Sequence, residues 1–332
     1  MTLPGFVNAH SHAFQRAMRG RAEGDDFWAW RDVMLEHARG LTPDTVRKSY
    51  EATYREMRAA GYTAVGEFHY VGVQEATAAA EAAGAAGIEF VLLYAAYARG
   101  GIERFRQDSV ATYLQQVEEL RAAGIRVGLA PHSVRACPED WLEEIGAYGE
   151  REGLVLHVHA DEQPREIEEC IAEYGVRPID LLARAGCLGP RATIVHGTHA
   201  DDRELGLLAG AGARICVCPT TEANLGDGFI PVERFRDHGI PLCIGSDSNV
   251  RIDPLEELRE LEGTARRQAL RRNVIPAVDL LQIGSRNGAE ALGLADWPDT
   301  AVDTNHVSLA GVPEEEREAA LLFGCSADVF SL

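Results

Sequence analysis

Short apolar runs alternate with stretches of helical spacing along nearly the whole chain. The runs cover residues 6–12, 62–70, 89–97, 126–133, 154–162, 192–200, 214–222 and 241–249. Each ends in a polar tip, and most are rich in β-branched and aromatic residues, the composition of strands buried on both faces. Between them, stretches such as 43–60 and 109–123 carry the apolar periodicity of amphipathic helices. Ala60-Gly61, Ala86-Gly87 and Ala123-Gly124 stand just before the next run, where glycine suits the left-handed end of a helix. Eight strand–helix repeats predict an α/β fold, a parallel (β/α)8 TIM-like barrel over residues 1–293. An open doubly wound sheet is the alternative, but the glycine-rich phosphate loop it would carry after the first strand is absent. From Leu294 the periodicity fades. Residues 294–332, with Trp297-Pro298 and the acidic run Glu314-Glu315-Glu316, read as a tail that packs on the barrel or holds the remnant of a small accessory β domain.

Composition narrows the function. A chain of 332 residues that is 46% hydrophobic can bury a large core, which excludes disorder. Its net charge of −20 argues against nucleic acid and anionic membranes as partners, and an anionic substrate would need its own arginine cluster. Lys48 is the sole lysine, which removes lysine Schiff-base chemistry and Walker-type phosphate binding from consideration. No apolar run reaches the length of a membrane span, and the first residues lack the pattern of a signal peptide. The seven cysteines are odd in number, without a CxxC pair, and Cys216, Cys218 and Cys243 lie inside apolar runs. They read as reduced core residues of a cytoplasmic protein.

Working residues of such a barrel sit at the C-terminal tips of its strands. Of 11 histidines, eight fall there: His10, His12, His69, His132, His157, His159, His196 and His199. Residues i and i+2 of a strand face the same way, so His10 and His12 can both aim at one metal in the barrel mouth. His157 and His159 share that relation, and either one serves as a ligand or one packs below the other. Imidazoles with one carboxylate, for which Asp247 on the last strand is the natural source, suit Zn²⁺ with a water in an open position. Zinc brings that water's pKa near neutrality and makes it a hydroxide nucleophile. Glu162, three residues past His159, is placed to shuttle its proton to a leaving group. Taken singly, each feature has an ordinary explanation. Two strand histidines can merely hydrogen-bond, Arg31 and Arg135 can be surface arginines, Tyr70 can be a packed aromatic, and His69, His157 and His199 can be supporting groups. The whole set is far more specific.

The segments Pro4-Gly5-Phe6-Val7-Asn8-Ala9-His10-Ser11-His12, His159-x-x-Glu162, His196 and Ser246-Asp247 resemble the amidohydrolase superfamily across nearly the whole barrel. The resemblance implies His10, His12, His159 and Asp247 as ligands, Glu162 as proton shuttle, and His196 and Asp247 as further catalytic groups. Two-metal members bridge their ions with a carboxylated lysine ending the fourth strand. Here that strand ends in His132-Ser133, which points to the one-metal deaminase and chlorohydrolase branch, with one Zn²⁺ per chain. Iron(II) and manganese(II) also suit such a site.

Within that branch His12-Ala13-Phe14-Gln15-Arg16, Phe27-Trp28-Ala29-Trp30-Arg31, Glu67-Phe68-His69-Tyr70, Pro131-His132-Ser133-Val134-Arg135 and the segment 220–228 look most like the formimidoylglutamate deiminase family. That likeness implies Gln15, Arg31, Tyr70, His132 and Arg135 as substrate-binding residues. It also implies a small dicarboxylate substrate, histidine degradation as the setting, and a homodimer. Guanidinium groups fit such a substrate, since they pair with carboxylates bidentately. Rival readings are a deaminase or chlorohydrolase of an amino-purine or triazine, and a non-catalytic metal-binding barrel. The chain departs from the family in opening almost at its first barrel strand and in that the expected strand after Leu294 is shortened or missing. Either the accessory β-sandwich is reduced or missing, or segments lie outside this sequence. The loops near Gly24-Asp25 and Gly263-Thr264 also look short.

Overall fold

A computed structural model describes residues 1–331 apart from residues 22 and 25. Eight strands form the central sheet: β1 (Phe6–Ser11), β2 (Tyr62–His69), β3 (Glu89–Ala96), β4 (Val127–Pro131), β5 (Leu156–Ala160), β6 (Ala192–His196), β7 (Arg214–Val217) and β8 (Leu242–Ile244). They pair in sequence order, every pair parallel. Helices separate them, as the alternating pattern predicts, and the strands are buried on both faces. The helix Pro43–Ala59 starts on a capping box between Thr42 and Thr45 with Pro43 in its first turn. Gly87 ends Val73–Ala86 at φ 68°, the left-handed geometry its position in the sequence implied.

The sheet closes into a barrel at the site itself. β1 and β8 meet through an isolated bridge between Ser11 and Asp247. The Asp247 N–H donates to the His10 carbonyl at 3.0 Å, and the His12 N–H donates to the Asp247 carbonyl at 2.8 Å. Below them Asn8 holds Ser246 from both sides, donating to its hydroxyl at 2.6 Å and accepting from its N–H at 3.0 Å. The β4–β5 seam is similar. Beyond Leu129–Leu156 it continues only as a bridge between Ser133 and His159, where the His159 N–H donates to His132 O at 3.1 Å.

A three-stranded antiparallel sheet flanks the barrel and draws on both ends of the chain, pairing Thr2–Pro4 with Asp299–Val302 and the latter with Phe330–Ser331. Residues 317–324, where the sequence shows little periodicity, form a helix that buries Leu321 and Leu322. Gly263-Thr264 is no loop, since it lies inside the helix Pro254–Ala269. Asp25 of the other short loop lies outside the described residues. Among the described residues no helix is long and apolar enough to cross a membrane.

Candidate active site

His10 and His12 leave β1 on one face, His159 stands near the end of β5, and Asp247 follows β8. The structure brings these four side chains together, all buried. The His10 Nε2 lies 3.2 Å from His12 Nε2 and 3.1 Å from His159 Nε2, and Asp247 Oδ1 lies 3.4 and 3.3 Å from the first two. Donors bound tetrahedrally at the usual zinc distances of about 2.0–2.1 Å would stand about 3.3 Å apart, so the spacing fits such an ion. The hydrogen bonds fit as well. His12 Nδ1 lies 2.9 Å from Phe68 O and His159 Nδ1 lies 2.9 Å from His132 O. A carbonyl only accepts, so both Nδ1 atoms carry the proton and both Nε2 atoms present lone pairs. Lone pairs converging at this distance in a dry site call for a cation between them. Burial drives the His10 pKa down to about 3 and lowers those of His12 and His159, keeping all three rings neutral. Burial alone would raise the Asp247 carboxyl, but the hydrogen bond from His10 and the surrounding imidazoles of His12, His10 and His196 hold it below the usual range.

Close packing and unusual backbone geometry set the candidate ligands. Asp247 has φ 44° and His196 φ 74°, both in the left-handed region where a non-glycine residue is uncommon. Gly245 precedes the ligand strand tip because a Cβ there would fall 2.6 Å from His10 O and 2.7 Å from His10 Cβ.

A second group adjoins the ligands. His196, ending β6, lies with Nε2 3.6 Å from Glu162 Oε1 and 4.0 Å from Asp247 Oδ2. Its Nδ1 donates to Glu222 Oε1 at 3.1 Å, and that oxygen also accepts from the Cys218 N–H at 2.9 Å. Burial opposes charge on His196, but Glu162, the bond to Glu222 and Asp247 outweigh it and raise its pKa to about 10. Burial raises the Glu162 carboxyl against the pull of His196 and Arg135. Arg135 stands 3.6 Å from both Glu162 and Glu166.

Three of the four candidate ligands, His12, His159 and Asp247, line one cleft of about 510 Å³ at the C-terminal ends of the strands together with Glu162, His196 and Arg135. Gln15, Arg31, Tyr70, His132 and Arg135, the residues implied for substrate binding, all line it. Gln15 Nε2 donates to Tyr70 Oη at 3.0 Å, and Phe27 and Trp30 add an aromatic wall. His157 packs below His159, with its Nε2 2.9 Å from Ala291 O. His69 lies 3.2 Å from Tyr50 Oη, and His199 lies 2.8 Å from Asp227 O. These three lie outside the four-ligand group. All seven cysteines are buried and unpaired.

Glu222, at the end of the run 214–222, and Asp227, in the segment 220–228, carry no role in the sequence reading. Both follow β7, on and beyond the short helix Pro219–Leu225. The signal that points to them is a buried carboxylate in an otherwise small, neutral segment, Thr220-Thr221-Glu222-Ala223-Asn224.

The barrel, its tip-borne ligand group and its flanking carboxylates define a hydrolase with a metal-binding centre. The amidohydrolase family profile matches residues 1–296, and the chain belongs to the amidohydrolase family, whose members are metal-dependent. It is a hydrolytic enzyme of C–N bonds, in the deaminase group of that family. The chain is 39% identical to formimidoylglutamate deiminase of Pseudomonas aeruginosa, over 88% of this chain and 72% of that protein. It is 32% identical to 5-methylthioadenosine/S-adenosylhomocysteine deaminase of Natronomonas pharaonis, over 88% of this chain and 69% of that protein. The crystal structure of an amidohydrolase from Brucella melitensis superimposes with a TM-score of 0.88 at 31% identity, covering 100% of this chain and 84% of that one.

Proposed function

We propose that the chain hydrolyses N-formimino-L-glutamate to N-formyl-L-glutamate and ammonia, using one zinc ion on His10, His12, His159 and Asp247. The observation that carries this reading is the presence of Arg31 and Arg135 in the same cleft as the ligand group. Two guanidinium groups in a protein of net charge −20 make a local site for the two carboxylates of the substrate. The likeness to the Pseudomonas deiminase supports the same substrate.

A bound zinc ion would acidify a coordinated water and polarise the substrate's carbon–nitrogen bond. Glu162, whose buried carboxyl holds protons more tightly than usual, accepts the proton of the attacking water and passes it to the departing nitrogen. His196, fixed by Glu222, turns its unpartnered Nε2 toward the reacting carbon and stabilises charge that develops on oxygen. Asp247 Oδ2, on the His196 side, accepts a hydrogen bond from the attacking water. The new C–O bond forms as the C=N double bond becomes single; the second proton of the former water then passes from oxygen by way of the same acidic groups to nitrogen, the C–N bond breaks as the formyl C=O forms, and nitrogen leaves as ammonia. Gln15, Tyr70 and His132, with the two arginines, hold the substrate so that its formimino carbon faces these groups.

A second reading, deamination of an amino-purine, is favoured by the aromatic wall of Phe27 and Trp30, which could stack a ring. Ammonia release by the zinc-loaded protein over formiminoglutamate, guanidino acids and amino-purines separates the two. The highest kcat/KM is expected with formiminoglutamate, and turnover confined to purines overturns the proposal.

A further inference from the structure

Beside the four-ligand group, Glu162, His196 and Asp227 each offer a donor atom within 4.8 Å of the other two, and all three are buried. Asp227 has no task in the hydrolysis derived above and does not line the cleft. It is 3% exposed, its Oδ1 accepts from the Gln163 amide, and its Oδ2 has no partner among the described residues. Its backbone is pinned from both sides. The N–H donates to Glu222 O at 3.0 Å, and the carbonyl accepts from His199 Nε2 at 2.8 Å. His196 Nε2 is likewise buried without a hydrogen-bond partner among the described residues, and an ion there would take the place of the proton that the neighbouring carboxylates hold on it.

A buried carboxylate oxygen and a buried imidazole nitrogen without partners are costly to leave unmatched. One imidazole with two carboxylates is a donor set for a borderline divalent ion. The charge around the site favours a cation too. Glu162 and Asp227 each feel the charges of Glu222 and Asp247, while Arg135 stands 3.6 Å from Glu162 Oε2 alone of the four. Asp247 spans the two groups, with Oδ1 on His10 and His12 and Oδ2 4.0 Å from His196 Nε2. Carboxylates divided between two ions are how paired metal sites relieve the repulsion of neighbouring cations.

We propose that Glu162, His196 and Asp227 form a second, weaker divalent-cation site whose filling shuts the enzyme off by capturing the carboxylate that must carry the proton. The inhibitory part rests on the role given to Glu162 above; the cation site does not. Competition from Arg135 and from an ion on the first site makes it the weaker of the two.

The test starts from protein carrying one zinc ion per chain, equilibrated by dialysis against zinc rising to millimolar concentration, with bound metal and ammonia release measured on the same samples. The wild type is expected to take up a second ion per chain while activity falls over the same range. Asp227→Asn, which keeps the shape and loses the charge, is expected to stay at one ion and to need at least about tenfold more zinc for the same inhibition. A wild type that stays at one ion, or a variant that binds two like the wild type, overturns the site. A second ion bound without loss of turnover leaves the cation site standing and overturns both the inhibition and Glu162 as proton carrier. Anomalous scattering from zinc-soaked wild-type crystals checks the position without any substitution: a second peak among Glu162, His196 and Asp227 is expected, and a peak elsewhere overturns it.

Discussion

Asp247 is joined to His10 twice, by its backbone N–H to the His10 carbonyl at 3.0 Å and by Oδ1 to the imidazole at 3.4 Å. These residues are at once candidate ligands and the seam at which the first strand meets the last. An ion shared between them would therefore brace the barrel as well as serve chemistry. Metal at a thousandfold excess over its Kd adds about 4 kcal/mol to stability, and chelation should lower Tm by roughly 6 °C in a chain of this size. Asp247→Ala should melt at one temperature with or without zinc. Scanning calorimetry on both proteins checks this, and a wild type whose Tm ignores zinc contradicts the ligand assignment.

Glu162→Gln keeps the size of the side chain and removes its ability to take a proton. The kcat should fall by about 10²–10⁴-fold at unchanged metal content. Glu162 must be ionised to accept the water proton, and burial raises its pKa. The acid limb of the wild-type pH–rate profile should therefore lie above the ordinary glutamate range, and it should vanish from the residual activity of the variant.

Arg135 lines the cleft 3.6 Å from the buried carboxyls of both Glu162 and Glu166. In Arg135→Met a substrate carboxylate would lose its partner, a loss of about 2–5 kcal/mol for a charge pair of this kind, or roughly 30- to 5,000-fold in kcat/KM. Lysine at this position should restore part of the loss, since it supplies charge without the planar fork. A purine substrate would feel the change far less, so the ratio of the two effects in steady-state kinetics reports the substrate class.

The strand tips were the legible part of this site. Two-residue spacing puts His10 and His12 on one face, and a strand end near Asp247 places a carboxylate at the same rim, so local pattern and barrel topology suffice. The partners of those ligands were not legible. The carbonyls of Phe68 and His132 are backbone atoms without a residue signature, and only the closed barrel shows that they orient His12 and His159. Glu222 and Asp227 sit beyond a strand, where a carboxylate ordinarily means a solvated surface. The same limit hid the small sheet, since pairing Thr2–Pro4 with Asp299–Val302 joins segments at opposite ends of the chain. The helix Arg317–Gly324 is too short for its spacing to stand out.

Gly245→Ala tests how tightly the last strand must press on the first. The added methyl would lie 2.6 Å from His10 O, against backbone that cannot swing aside. Overpacking of this kind costs about 1–3 kcal/mol, and a shift of His10 should weaken zinc binding at least about tenfold. Competition against a chelator of known affinity measures it, and unchanged affinity with unchanged Tm would show that the seam is softer than its geometry implies.

Glu67 supplies a pH dependence that does not involve the reaction. It is fully buried at the second strand; Oε1 accepts from the Ala13 N–H at 2.7 Å, and Oε2 has no partner among the described residues. Burial raises its pKa from 4.5 to about 8, against the bond from Ala13. Between those values the folded chain holds a proton that the unfolded chain has released, so stability falls as pH rises. Below pH 4.5 the carboxyl is neutral in both states and its contribution is whole; above about 8 it is ionised in both and the contribution is gone. Gln at this position keeps the acceptor for Ala13 and never ionises. The unfolding free energy of Glu67→Gln minus that of the wild type should therefore grow across this window, by at most about 5 kcal/mol. Denaturant titrations at a series of pH values measure the difference, and a difference that stays constant from pH 4.5 to 8 would mean that Glu67 is ionised in the folded protein and has a cation or water beside it.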